Sequence, residues 1–158
     1  MSIPDLSKMP DISKMTGLQQ FEAVREGLLP PPSIGKTLNF SLSHLAYGEV
    51  HFAGTPTDAF LNPMLTVHGG WTMTLLDSCV ACAVHSTLEA GEVYTTLELK
   101  TNFVRTIRPN SGVYTAKGKI VHRGGRTATA EGRLEGEDGK LYAHASTTCI
   151  IMRPEISG

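Results

Sequence analysis

The sequence predicts an α+β domain: a curved antiparallel sheet of five or six strands wrapped around one long central hydrophobic helix. Three observations carry this. The eighteen residues from Trp71 to Leu88 are almost all apolar or small and hold one formal charge, Asp77. That run is too long for a strand and lacks strict alternation, so it reads as a helix, and a helix apolar on all sides is wrapped by other structure. The remaining segments alternate apolar and polar residues, and most are joined by connections of hairpin length, which implies antiparallel pairing.

Taken in order, residues 1–35 read as an N-terminal arm and a short helix, and residues 36–154 as the domain proper. Residues 4–15 hold a near-repeat, Pro-Asp-Leu-Ser-Lys-Met then Pro-Asp-Ile-Ser-Lys-Met. Two copies are too few for a solenoid and read as a loose arm, although each Pro-Asp can start a helical turn. Gly17 to Leu29 has Leu18, Phe21, Val24 and Leu28 at helical spacing, and Pro30, Pro31 and Pro32 should end it.

Leu38, Phe40 and Leu42 alternate with polar residues and start the first strand. Gly48 marks a bend, and Glu49 to Ala53 continues as the second strand. Gly54 to Val67 is a long loop into the hydrophobic helix, and long loops in compact domains often carry function. Beyond the helix, strands are expected at Val93–Val104, at Val113–His122, up to Glu135, and at Leu141–Met152. Their turns are Arg108-Pro-Asn-Ser-Gly112, Arg123-Gly-Gly-Arg126 and Gly136-Glu-Asp-Gly139.

Composition excludes several classes. A length of 158 residues suits one domain, and a net charge of -1 gives no footprint for nucleic acid or an anionic membrane. Thr72, Thr74, Asp77, Ser78 and His85 interrupt the apolar run too often for a bilayer span. The first residues do not resemble a signal peptide, and three cysteines are an odd number for a disulfide framework; both point to the cytoplasm. Cys79 and Cys82 form a C-x-x-C in mid-helix. A zinc site would need about four ligands and only His85 continues the spacing, so buried, inert thiols are expected. Phosphate-binding, dinucleotide-binding and G-x-S-x-G hydrolase patterns are all absent.

The chemistry-bearing residues cluster around the helix start. Gly69 and Gly70 fall where the first turn leaves unpaired N–H donors backed by the helix dipole, a place suited to an anion or a developing oxyanion. Asp77 lies about 11 Å further along the axis, at 1.5 Å per residue. One small reacting group cannot touch both, so a shared reaction needs two chains with antiparallel helices side by side, hence a homodimer with two equivalent sites. Each residue alone has a plainer reading: Gly-Gly as a turn, Asp77 as a structural carboxylate, His68 as a cap, Asn62 as a turn former before Pro63.

Together, Asn62, His68-Gly69-Gly70 and Asp77-Ser78 resemble the signature of the hot-dog-fold acyl-CoA thioesterases of the phenylacetate-degradation type. The resemblance runs through Asn102-Phe-Val-Arg105 and the Gly125-Arg126 turn to about Pro154, and leaves out the first 30 residues. It implies that Asp77 is the catalytic carboxylate, acting as general base or as nucleophile. The Gly69 N–H, with Gly70, would polarise the thioester carbonyl, and His68 and Asn62 would orient thioester and water. Thr96, with Thr95 beside it on the opposite face, would help hold the water. Arg123, Gly124 and Arg126 would bind the coenzyme A phosphates through bidentate guanidinium contacts. Acyl-CoA is then the small-molecule substrate, no separate cofactor or metal is needed, and the dimer doubles into a homotetramer. Two rivals share this fold: an enoyl-CoA hydratase or dehydratase, and a non-catalytic acyl-CoA-binding protein.

Overall fold

The computed structural model describes residues 9–153. Three helices and six strands follow in the order α1 (Gly17–Arg25), α2 (Ser33–Thr37), β1 (Phe40–Ala46), β2 (Glu49–Gly54), α3 (Gly69–His85), β3 (Val93–Phe103), β4 (Tyr114–Arg123), β5 (Thr127–Gly136) and β6 (Leu141–Met152). The strands form one antiparallel sheet in the order β1-β2-β4-β5-β6-β3. Helix α3 crosses the middle of this sheet, so β3 is left at one edge and β1 at the other.

The core lies between α3 and the inner face of the sheet. Trp71, Leu75, Leu76, Cys79, Val80 and Val84 of α3 are buried against Ala116, Ala128, Ala130, Leu134, Ala143, Ala145 and Cys149. Each fully buried large apolar side chain contributes about 1.5–3 kcal/mol. The strand residues under the helix are small, which lets α3 sit close. Gly118 and Gly132 are cross-strand partners beneath it. A methyl group at Gly118 would strike the backbone carbonyl of Cys79, and one at Gly132 would lie 2.7 Å from Val80 Cγ1. This paired-glycine notch sets the height of the helix over the sheet.

Four local features depart from the sequence expectations. Helix α1 stops at Arg25, before the prolines: Gly27 takes φ 75°, its N–H donates to Val24 O, and the Leu28 N–H donates to Ala23 O. This left-handed glycine cap ends the helix four residues early. Helix α2 was not anticipated, being five residues long with no apolar period. The second Pro-Asp copy forms a short 3₁₀ turn, Ile12–Lys14, capped by the Asp11 carboxylate; most of the first copy lies outside the described residues. Helix α1 is also docked, with Gly17 N–H donating to Leu88 O at 2.9 Å and Phe21 meeting the His85 ring edge-on at 5.0 Å.

The sheet does not cover α3 completely. Met73, Thr74, Asp77, Ser78, Cys82 and His85, which share one side of the helix, form an exposed or half-buried stripe beside β3. Asp77 therefore lies on the open side of the hydrophobic helix, where the sequence alone suggested a buried segment. Among the described residues no helix is long and apolar enough to cross a membrane.

Candidate active site

The loop before α3 is built to present the helix start. Asn62 Oδ1 accepts from the N–H groups of Met64 and Thr66 at 2.9 and 3.2 Å, and its Nδ2 donates to Thr66 Oγ1 at 2.9 Å. These bonds hold Leu65 at φ 59°, a conformation a branched side chain seldom adopts. The His68 N–H donates to Phe60 O at 2.7 Å and the Val67 N–H to Ile107 O at 3.0 Å. Within the helix, Trp71 Nε1 donates to Leu38 O at 2.8 Å and anchors the first turn to the chain entering β1.

His68 caps α3. Its Nδ1 accepts the Gly70 N–H at 2.8 Å. In the neutral ring the proton then resides on Nε2, which makes His68 a donor on its exposed side. The cap consumes the Gly70 N–H, and the Trp71 N–H donates to His68 O at 3.0 Å. The Gly69 N–H has no acceptor among the described residues, so it is the open donor of the first turn.

A cleft of about 380 Å³ opens at this terminus, lined by Asn62, Met64, Thr66, Gly69, Phe103 and Arg105 among others. The Phe103 ring covers Gly69, where a Cβ would come within 3.0 Å of it. Sequence reasoning placed Phe103 only on a strand; its alternation with Leu99 on one face of β3 is the signal that could have found it. Arg105 donates to Leu141 O at the cleft's rim.

Asp77 stands eight residues after Gly69, about 12 Å up the helix, so one chain does not bring the two together. Among the described residues its carboxylate has no hydrogen-bond or ion-pair partner. Its surface is open, but protein crowds it from the sheet side, and the lost hydration holds its carboxyl above the usual aspartate range. Cys82 is pushed up to about 12, first by burial and then by the Asp77 charge, and burial also pushes Cys79 up. All three cysteines are free, and their raised thiols are inert, as the C-x-x-C reading expected.

Thr96 lies on the helix-facing side of β3 with Tyr94, whose ring meets His85 at 5.5 Å; Thr95 faces outward. Its hydroxyl is 3.8 Å from Cys149 Sγ. Beyond Thr96 a bulge at Leu97 shifts the register, so Leu99, Thr101 and Phe103 take over the inner face.

At the β4–β5 turn, Arg123 and Arg126 have different surroundings. Arg123 is held by the buried Glu92 at 2.5 Å and also donates to Gly124 O. Arg153, from the end of β6, binds the other Glu92 oxygen at 3.2 Å. Burial raises the Glu92 carboxyl, but the Glu89 N–H and the two guanidinium groups outweigh it and leave the net shift downward. Arg126 is exposed, and its guanidinium is unpaired among the described residues. It lines a second cleft of about 370 Å³ with Gly125, Ile151, Met152 and Arg153. Gly124 donates to Thr127 O and closes the turn.

One long helix laid on a six-stranded antiparallel sheet, with a Gly-Gly start whose Gly69 N–H is open, defines the hot-dog class of acyl-thioester enzymes. The sequence profile of the thioesterase superfamily matches residues 64–143, just over half of the chain, and the chain belongs to that family. A solved phenylacetic acid degradation-related protein of Ralstonia eutropha JMP134 is 32% identical, with a TM-score of 0.75 over 82% of this chain and 98% of its own. The PaaI protein of the E. coli phenylacetic acid degradation operon, at 20% identity, has the same fold: TM-score 0.75 over 86% and 93% of the two chains. PA1618 of Pseudomonas aeruginosa, named as an esterase, is 30% identical over 102 residues, 63% of this chain and 69% of that one. Thioester hydrolysis is thus the class of reaction, on a fold the sequence had anticipated.

Proposed function

We propose that the chain hydrolyses acyl-coenzyme A thioesters at sites shared between two protomers, with Asp77 of one chain facing Gly69 of the other. The observation that supports this is the separation of an unpaired, poorly hydrated carboxylate from an open backbone donor along a single rigid helix. β3 offers the means of joining them. It is an eleven-residue edge strand carrying exposed Val93, Leu97 and Phe103, an edge that folded proteins ordinarily cover or blunt. Antiparallel pairing of β3 with its copy extends the sheet and sets the two open α3 stripes side by side, running in opposite directions. Two such dimers pack into the tetramer.

In the shared cleft the Gly69 N–H polarises the thioester carbonyl, and the His68 Nε2–H donates to the same oxygen or to the attacking water. The Gly70 N–H, held by His68, acts through the cap. Asp77 takes a proton from water as hydroxide adds to the carbonyl carbon. The tetrahedral intermediate then collapses with cleavage of the C–S bond, the thiolate leaves, and the proton passes to it. If Asp77 attacks the carbonyl carbon instead, C–S cleavage expels the thiolate and leaves a mixed anhydride on Asp77, which water then opens to the free acid. Asn62 is a positioning residue, holding the 62–66 loop against the cleft. Thr96 faces the same groove. Arg126, free and exposed, is better placed than Arg123 to meet a coenzyme A phosphate, and Gly124 shapes its turn. No metal or redox group enters these steps. The free thiols suit the reducing cytoplasm.

The test is a panel of aryl- and fatty-acyl-CoA thioesters assayed for thiol release with the wild type and Asp77→Asn. A loss in kcat of at least about 10²-fold in the variant supports the role of a lost acid–base group. Equal turnover by the variant, or hydration of an enoyl-CoA without thiol release, overturns the proposal.

A further inference from the structure

A second cluster of reactive side chains lies on the other face and at the other edge of the sheet. Glu49 and His51 are two residues apart on β2 and so point to one side, while Val50 between them is buried toward α3. His44 on β1 is the direct cross-strand partner of His51, and a bulge between Leu42 and His44 sets its direction. The rings of His44 and His51 are 4.6 Å apart and tilted by 34°. His51 Nε2 lies 3.1 Å from Glu49 Oε1, and one donor atom from each of the three residues falls within 4.8 Å of the others. This is the one group of histidine, cysteine and carboxylate donors that converges so among the described residues.

We propose that His44, Glu49 and His51 form a binding site for a divalent transition-metal ion of the zinc type, with water completing its coordination. Donors on one tetrahedral ion at 2.0–2.2 Å are roughly 3.4 Å apart. Glu49 and His51 already meet that spacing, and His44, being exposed, closes the remainder by side-chain rotation. Two imidazoles and one carboxylate suit zinc, cobalt, nickel or copper rather than magnesium or calcium, which take oxygen ligands. The support is rigid: the Gly48 N–H at the hairpin turn donates to the buried Ser86 hydroxyl at 2.8 Å, and Gly48 O accepts from the Ile120 N–H at 2.8 Å. Of the nearby cations, Lys117 is drawn away by Glu135 at 2.7 Å, and Lys119 reaches the second Glu49 oxygen only at 3.9 Å. Four inter-strand spacings, on the order of 19 Å, separate β2 from β3, and β1 lies one strand further away. The ion would therefore stitch the edge strand β1 to β2 without touching the thioester.

The experiment uses the untagged full chain, stripped with a chelator and dialysed, and titrated with zinc chloride by calorimetry. The expected result is one ion per chain and a higher Tm with zinc in the wild type. Both effects are lost in His44→Gln, a surface change that leaves fold and thioester hydrolysis intact, and weakened in Glu49→Gln. Cobalt(II) should give a spectrum free of thiolate charge-transfer bands. Absence of binding in the wild type, undiminished binding in His44→Gln, or a thiolate band that moves the ion to a cysteine would each overturn the proposal.

Discussion

Replacing Gly118 with alanine tests how the helix is held and what its height is for. The added methyl group lands on the Cys79 carbonyl and close to the Val80 nitrogen, backbone atoms that cannot swing aside. Normal carbon–oxygen contact requires α3 to retreat from β4 by roughly 1 Å at that point. Overpacking of this kind costs about 1–3 kcal/mol, and a clash with main chain belongs at the upper end. For a chain of 158 residues that lowers Tm by roughly 6–12 °C. Asp77 is two residues from Cys79 and moves with it, and a displacement of about 1 Å can cost on the order of 10² in rate. Gly132→Ala is the comparison: its new methyl meets Val80 Cγ1, Cys79 Sγ and Leu76 Cδ2, side-chain atoms with more room to adjust. Thermal melts followed by circular dichroism, with thiol-release kinetics on the same samples, should rank wild type above Gly132→Ala and Gly132→Ala above Gly118→Ala in both properties. A Gly118→Ala protein with wild-type Tm and kcat would refute the notch as the seat of the helix.

Other consequences can be checked in the same assays. Desolvation favours the neutral form of Asp77 in the folded state, so its ionisation weakens folding as pH rises through and above the usual aspartate range. Asp77→Asn should accordingly have a higher Tm than wild type at neutral pH while losing activity; a lower Tm would contradict the unpaired, desolvated carboxylate. The acid limb of the wild-type kcat/KM profile should lie above the ordinary aspartate value of 3.8. Glu92, whose carboxyl is held below 4.5, stabilises the fold above that pH and loses its contribution as pH falls through the lowered value. Glu92→Gln, which strips charged partners from Arg123 and Arg153, should cost about 2 kcal/mol at pH 7 and much less near pH 3, measured by urea unfolding.

How far the fold could be read from residues follows from which signals are local. The apolar run gave α3, and alternation with turn chemistry placed β6 at Leu141–Met152, the bounds it has. The three prolines mark a stop at Leu29, but Gly27 reverses the chain first and α1 ends at Arg25. The notch has a local signal in Gly118 and Gly132, isolated glycines inside strand patterns that mark close backbone approach, but their pairing beneath α3 depends on the register of β4 and β5. The sequence points to Asp77 and the first turn of α3 as the expected place of chemistry, but the openness of the Asp77 stripe depends on how far the sheet curls, which periodicity does not encode. The turn-forming role of Asn62 was legible because its partners, Met64 and Thr66, are local, whereas the pairing of Arg123 with Glu92, thirty-one residues away, is settled only by folding.

The central claim is that each reaction centre draws its carboxylate and its carbonyl-polarising amide from different chains. It is tested by mixing two inactive variants, Asp77→Asn and Gly69→Val, under conditions that exchange subunits. Random pairing makes half of the dimers hybrid, and in each hybrid one cleft combines both lesions while the other has neither, so activity should return to about one quarter of wild type. If the mixture stays as inactive as its components although hybrids are shown to form, both groups belong to one chain and the shared cleft is wrong.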